Sequence, residues 1–526
     1  MENGYSWERY QKHLYTNEAL GLSLDYSCIH FSEEYLQEME PRIEQAFCKM
    51  QELERGELAN LDEQRMVGHY WLRNAALAPR KEISTEIGQT YEKIKEFGRA
   101  IKAGDIVSGT GQLFSRFLLI GIGGSALGPQ LICDTLGVSG LQAYFLDNTD
   151  PDGIDWILHE LRNHLGETLV IVISKSGGTV ETRNGMLEVQ NFFTAKGVDF
   201  AKQVVTITTK GSKLDQQAEA EGWLDRFYIW DWVGGRTSIT SAVGLLPAIL
   251  QDIDIDAFLQ GARDCDETTR REEPLQNPAS ILALMWNYAV EKEHKKNMVV
   301  LPYRDSLQLF SRYLQQLVME SLGKEKDLEN KIVQQGLTVY GNKGSTDQHA
   351  YVQQLLDGAN DFFVVFIEVQ QDRRVRSLFI EADITSGDYL KAFLEGTRKA
   401  LLKKGRESLT LSLRELTPYT LGVLVALFER AVGLYAFLIN INAYHQPGVE
   451  LGKKGANQYV ELQRRVLQYL RSKQGIAFTP EEVAENLGLR EETEFVYKLL
   501  EHLYLNKYHE VKKEKGISIF TGKYFI

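Results

Sequence analysis

In the stretch Ser174-Lys175-Ser176-Gly177-Gly178-Thr179-Val180-Glu181-Thr182, the hydroxyls of Ser174, Ser176 and Thr179 and the ammonium of Lys175 surround two glycines. It follows the apolar run Leu169–Ile173, so it reads as a loop between a buried strand and a helix. Hydroxyls and backbone N–H groups at a helix N-terminus suit a phosphate, and glycine lets the backbone approach it closely. A similar loop, Gly121 to Pro129 (GIGGSALGP), holds Gly124 and Ser125 and follows Phe117–Ile120. A single loop of this kind would pass for an ordinary tight turn. Two at the carboxyl ends of neighbouring strands point to a phosphorylated ligand.

Four further segments could do chemistry. Gly234-Gly235-Arg236-Thr237-Ser238 puts an arginine behind two glycines, after the aromatic run Phe227 to Trp232. Its guanidinium could hold an oxyanion, or it could form a surface salt bridge. Gln316 and Glu320 stand four residues apart on an apolar helix, Ser306 to Gly323, and so share a face. A partly desolvated carboxylate there fits a general base; a glutamate merely paired at a helix end is the alternative. His349 follows the glycine-bearing loop that starts at Tyr340 and stands at the start of a helix, Ala350 to Leu356. It could transfer a proton or serve a structural hydrogen bond. Gln446 to Lys453 (QPGVELGK) follows a buried helix, and Lys453 either turns inward to stabilise a negative oxygen or is solvated.

The elements that must hold these groups are legible as alternation. Phe117–Ile120, Tyr144–Leu146, Leu169–Ile173 and Val204–Ile207 are short apolar runs separated by helical segments, which predicts a parallel sheet covered on both faces. A second series has strands Asn297–Leu301, Leu337–Tyr340 and Asp361–Val369 and a long helix Thr417–Ile441. The acidic, proline-bearing stretch Asp264–Pro278 reads as the boundary between the two. The fold class is therefore α/β, with two doubly wound parallel sheets. Residues 1–105 read as a helical region, with helices over Phe31–Glu54 and Leu61–Asn74. Residues 106–263 and 279–455 form the two sheet domains. Residues 456–526 form a small α+β, winged-helix-like extension of three helices and a hairpin. Its mixed charges suit packing or an interface better than nucleic acid.

The net charge of −13 argues against unspecific binding to nucleic acid or anionic membrane. The four cysteines are scattered, without metal or redox spacing. No secretion signal is apparent, and the longest apolar stretch, Leu421–Leu438, is broken by Glu429 and Arg430. A cytoplasmic enzyme is expected.

In chain order, GIGGSALGP, SKSGGTVET, GGRTS, QQLVMESLGK, GSTDQHAYVQQL and QPGVELGKK resemble the glucose-6-phosphate isomerase (phosphoglucose isomerase) family, over residues 121–454. The resemblance implies two sugar-isomerase (SIS) domains with a site between them, a phosphorylated hexose substrate, and no metal or other cofactor. It places the phosphate on Ser125, with Gly124 beside it, and on Ser174, Lys175, Ser176 and Thr179. It makes Glu320 the base, His349 and Lys453 the ring-opening pair, Arg236 the partner of the intermediate, and Gln316 and Gln446 substrate contacts. It also implies a homodimer at least, because in the family the histidine comes from the neighbouring subunit. The reaction would interconvert glucose 6-phosphate and fructose 6-phosphate. A broader isomerase that also takes mannose 6-phosphate, or a sugar-phosphate-binding regulator without catalysis, are the alternatives. Glu181 and Glu450 are rival carboxylates, but Glu181 adjoins the phosphate loop, where a base would be misplaced. Two departures stand out: Ser176 replaces a threonine common in the family, and Ser345-Thr346-Asp347 replaces Thr-Asn-Gly. The module after residue 456 extends beyond the family's usual helical tail.

Overall fold

The computed structural model describes residues 6–526 except 138 and 374, and the side chains of Val449 and Glu450 lie outside the description. Glu450, a rival base by sequence, therefore falls outside the described side chains.

The first sheet has five parallel strands, in the spatial order Gln142–Leu146, Arg116–Ile120, Thr168–Ser174, Val204–Thr208, Asp225–Tyr228. All seven residues of Thr168–Ser174 are buried, as expected of a central strand covered by helices on both faces. After Arg116–Ile120 the chain pairs Gln142–Leu146 on one side and Thr168–Ser174 on the other. This is a topological switch point, where the carboxyl ends of such strands leave a crevice. Both glycine-bearing loops emerge there.

The second sheet is mixed. Thr338–Tyr340, Asn297–Pro302, Phe362–Val369 and Ser408–Leu413 run parallel, and a hairpin of Leu14–Asn17 and Leu22–Cys28 adds antiparallel to Ser408–Leu413. The expected helical character of residues 1–105 thus holds for Glu33–Glu54 and Lys81–Ala103 but not for this hairpin. Leu22, Leu24 and Tyr26 fill the sheet, and Asp25 pairs with Arg398. Leu61–Asn74 is not a helix either. It forms a short strand, Arg65–Met66, and a 3₁₀ turn, His69–Leu72. Gly68 donates its N–H to the Trp232 carbonyl (3.0 Å), and a Cβ there would collide with the Trp71 ring, so the chain bends where a helix would have continued.

The stretch Asp264–Pro278 is not a linker. Its first residues end the helix Ile255–Thr268, which lies tightly against the buried helix Pro418–Leu438. A Cβ on Gly261 would fall 1.9 Å from the Tyr419 carbonyl oxygen, and one on Gly422 2.0 Å from that of Phe258. Asp266 is buried and receives Arg73 (2.9 Å) and Arg430 (3.3 Å), while Glu54 receives Arg270 (2.9 Å) and Arg430 (2.5 Å). Of the acidic residues in this stretch, Asp266 serves a buried ion network, while Glu267, Glu272 and Glu273 face solvent. One hydrophobic core joins the two sheets, from Tyr15 to Ala443. Pro418–Leu438 is the one described helix long and apolar enough to cross a membrane, and 94% of its most apolar window is buried in the protein.

The chain divides into two compact units, Met1–His445 and Gln446–Ile526. The second holds helices Pro447–Ser472, Pro480–Asn486 and Thr493–Leu505 and a hairpin of Lys512–Glu514 and Lys523–Phe525. It has its own core, including Val466, Leu470, Val483, Leu499, Leu503 and Tyr524. Three helices and a hairpin were expected, but the first helix starts at Pro447. A proline at the first helical position is preorganised to begin one, so the unit starts ten residues before the expected 456.

Candidate active site

The helix carrying Gln316 and Glu320 is not regular. A 3₁₀ turn (Asp305–Leu307) and an α-helical turn (Phe310–Leu314) lead into a π-helical turn, Gln315–Glu320. Such single wide turns recur at functional sites. Leu314, Leu317 and Val318 are buried in the core, and Gln316 and Glu320 are half-buried side by side, while Gln315 and Met319 face solvent.

Arg236 sits in the 3₁₀ turn Gly235–Thr237 and is buried. Its Nε donates to Glu320 Oε1 at 2.9 Å, and Nη2 lies 2.7 Å from the same oxygen as an ion pair. Nη1 donates to the Ala443 carbonyl at 2.6 Å, and Nη2 also reaches the His445 carbonyl at 3.3 Å. Of the two readings of this arginine, the surface salt bridge is therefore excluded. Glu320 Oε2 accepts from Gln316 Nε2 at 3.4 Å. The first glycine loop touches this pair. A Cβ on Gly124 would fall 2.0 Å from the Gly235 carbonyl oxygen, and one on Gly123 would lie 3.1 Å from Gln316 Nε2. Gly124 opens the helix Gly124–Leu136, with Ser125 in its first turn.

In the second loop, Ser174 Oγ donates to Thr179 Oγ1 (3.0 Å), and the Gly178 N–H donates to Ser176 Oγ (3.2 Å). Gly177 takes φ +66°, which a side chain would resist. Thr179 stands at the position before the helix Val180–Ala195, with no side-chain bond to its first turn, which also holds Glu181. Lys175, expected to carry its charge to the phosphate, is directed elsewhere. Its Nζ donates to the carbonyls of Asp231 (2.8 Å) and Val233 (2.7 Å), just ahead of Gly234-Gly235-Arg236. Burial, with Arg65 nearby, lowers its pKa to about 8.

His349 lies in a 3₁₀ turn, Asp347–His349, ahead of the helix Val352–Asp357, and is exposed. No described hydrogen bond or ion pair joins it to Arg236 or Glu320. Asp347, one of the residues departing from the family pattern, is buried and organises this loop. Its carboxylate accepts from the N–H groups of Asn342 (2.8 Å) and Lys343 (3.2 Å) and from the Tyr351 hydroxyl (2.6 Å). Gln446 and Lys453 belong to the second unit, Gln446 as the cap of the helix Pro447–Ser472 and Lys453 in its second turn.

Sequence reasoning passed over three residues here. Lys324 is buried and donates Nζ to the Glu320 carbonyl at 2.6 Å, and burial next to Arg236 lowers its pKa to about 8. His445 Nε2 lies 3.6 Å from Asp62 Oδ2, and burial pulls the imidazole below its usual value. Lys324 ends the quoted segment QQLVMESLGK, four residues after Glu320, and that spacing was the available signal.

Parallel strands ending in two hydroxyl-bearing loops, beside a carboxylate held by a buried arginine, define an α/β enzyme site for a phosphorylated ligand. The phosphoglucose isomerase family profile matches residues 25–473, and the chain belongs to that family. The glucose-6-phosphate isomerase of Geotalea daltonii is 56% identical over 521 residues, spanning 99% of this chain and 98% of that protein. That of Desulfitobacterium hafniense is 52% identical over 523 residues, at the same coverage. The last unit is therefore shared with these relatives, whatever the length of other members' tails. Among solved structures, a glucose-6-phosphate isomerase from Chlamydia trachomatis superposes with a TM-score of 0.79 at 26% identity, over 87% of this chain and 91% of that one.

Proposed function

We propose that the chain interconverts glucose 6-phosphate and fructose 6-phosphate through ring opening and an enediolate, as a cytoplasmic isomerase of glycolysis and gluconeogenesis. The observation that carries this reading is the Glu320 carboxylate, fixed through Oε1 by Arg236 and turned through Oε2 toward Gln316. Oε2 is the oxygen with room to take a proton. In the open-chain aldose the C2 proton passes to Glu320 and returns at C1, while O1 and O2 share the enediolate charge beside Arg236. Ser125, Ser174, Ser176 and Thr179, with Gly124, hold the phosphate remotely, so that binding energy orients C1 and C2 over the base. Gln316 and Gln446 contact the sugar hydroxyls. His349 and Lys453 exchange the proton between ring oxygen and anomeric hydroxyl. Lys175 acts on the phosphate loop indirectly, by holding the backbone ahead of Arg236.

The exposure of His349, with no described bond to its own Glu320, supports its service to a second subunit, and hence a homodimer or higher homo-oligomer. The first sheet and the second are the two sugar-isomerase domains of this reading.

Incubation with fructose 6-phosphate in heavy water, followed by NMR, tests the reaction. Glucose 6-phosphate carrying deuterium at C2 is expected. Unlabelled product would remove Glu320 from the role of exchangeable base. Bound sugar without any product would replace the isomerase reading with a regulator.

A further inference from the structure

Among the buried charges around Arg236 and Glu320, Lys324 has no part in the reaction just described. It is 5% exposed, and the groups facing it come from separate elements. Glu320 lies on the π-helical turn, Arg236 on the turn Gly235–Thr237, and Asp62 and His445 on loops of the same unit. Lys324 itself opens the strand Lys324–Lys326, which pairs antiparallel with Ile332–Gln335. The helix ends immediately before it, where the last carbonyls lose their intrahelical partners. The Glu320 carbonyl is one of these, and the Lys324 ammonium meets it at 2.6 Å.

We infer that Lys324 is a positioning residue for the base, capping the backbone of Glu320 so that its carboxylate keeps one direction. Arg236 fixes the tip of that side chain and Lys324 fixes its root. A carbonyl left without a donor in this buried place would draw the turn toward another partner. Burial leaves the ammonium with a pKa of about 8, so it stays charged at neutral pH.

The inference rests on the proposed isomerase reaction, and its test is arranged to separate the two. Wild type, Lys324→Met and Lys324→Arg are compared on fructose 6-phosphate, with folding checked by circular dichroism. Lys324→Met is expected to lower kcat about 10- to 100-fold with KM within about threefold, since a misdirected base slows chemistry more than binding. Lys324→Arg keeps charge and donors and is expected to stay within about fivefold of wild-type kcat. If the methionine variant does not fold, Lys324→Gln takes its place in the same comparison. A folded variant with wild-type kcat, or an arginine variant no better than methionine, overturns the inference alone. A wild-type chain without turnover overturns the proposed reaction and the inference with it.

Discussion

Arg236 and Glu320 meet asymmetrically: Nε hydrogen-bonds Oε1 and Nη2 lies closest to the same oxygen, while Oε2 is left to Gln316 at the longer distance of 3.4 Å. An arginine facing a carboxylate more often forms two parallel bonds, one to each oxygen. Here one oxygen is held, and in the proposed reaction the other takes the proton. Glu320→Gln removes the acceptor for that proton yet preserves the shape. It is expected to lower kcat by about 10²- to 10⁴-fold, while the affinity for fructose 6-phosphate changes by less than about tenfold. Isothermal titration alongside turnover measures both, and retained turnover would end the assignment.

The same geometry separates arginine from lysine. Arg236 serves Glu320, Ala443 and His445 from one planar group, which a single ammonium cannot do. Arg236→Lys is therefore expected to lose about 10²-fold or more in kcat, as the loss of one oxyanion donor does. A variant that recovers most of the rate would show that charge, not the fork, is what the site needs.

Much of this arrangement was readable beforehand, and the failures have physical causes. Thr168–Ser174 was plain as an unbroken apolar run because both of its faces are covered. Asp225–Tyr228 was missed because an edge strand keeps polar residues, and Arg226 pairs with Asp215 (3.2 Å) outside the core. The amino-terminal hairpin was missed because its pairing partner, Ser408–Leu413, lies beyond the whole first sheet domain and most of the second in sequence, and no local pattern reports that. The π turn at Gln315–Glu320 keeps the apolar spacing of an α-helix, so periodicity does not reveal it. Residue type and spacing singled out Glu320, Gln316 and Arg236 but left a paired glutamate and a surface arginine open, and only the resemblance to the family gave them roles; the structure brings the three side chains together. Lys175 was named but misdirected, because its acceptors are backbone carbonyls, which residue type does not encode.

Lys175 and Lys324 give activity and stability opposite pH trends. Burial lowers both from 10.5 to about 8. Both are charged below pH 8 in the folded protein, and lose that charge as pH rises through 8. Between about pH 8 and 10.5 the unfolded chain binds more protons at these two sites, so their contribution to stability rises with pH. Activity that depends on their charge falls over the same range. Urea midpoints and kcat measured from pH 7 to 10 are expected to diverge in this way. A kcat that stays flat past pH 9 would mean that neither charge matters to turnover.

Asp266 tests whether the buried ion network joins the two sheets. It is 1% exposed and pairs with Arg73 and Arg430, both wholly buried. Removing one partner of such a network leaves charge without compensation, and Asp266→Ala is expected to cost about 3–5 kcal/mol. Urea unfolding followed by tryptophan fluorescence reads this. A loss under about 1 kcal/mol, the scale of an exposed pair, would show that Glu54 and Glu429 suffice for both arginines.

His349 decides whether the site is completed within one chain or between two. Glu320→Gln and His349→Ala are each expected to be inactive alone. If His349 serves the neighbouring subunit, a dimer with one copy of each has one complete site, with Glu320 from the histidine variant and His349 from the glutamate variant. Its other site lacks both groups. Unfolding the two variants together and refolding them at equal amounts makes about half of the dimers mixed, so about a quarter of wild-type activity should return. If each histidine serves its own chain, every site in the mixture lacks one group and nothing returns. The exposure of His349, and the lack of any described bond from it to Arg236 or Glu320, favour recovery.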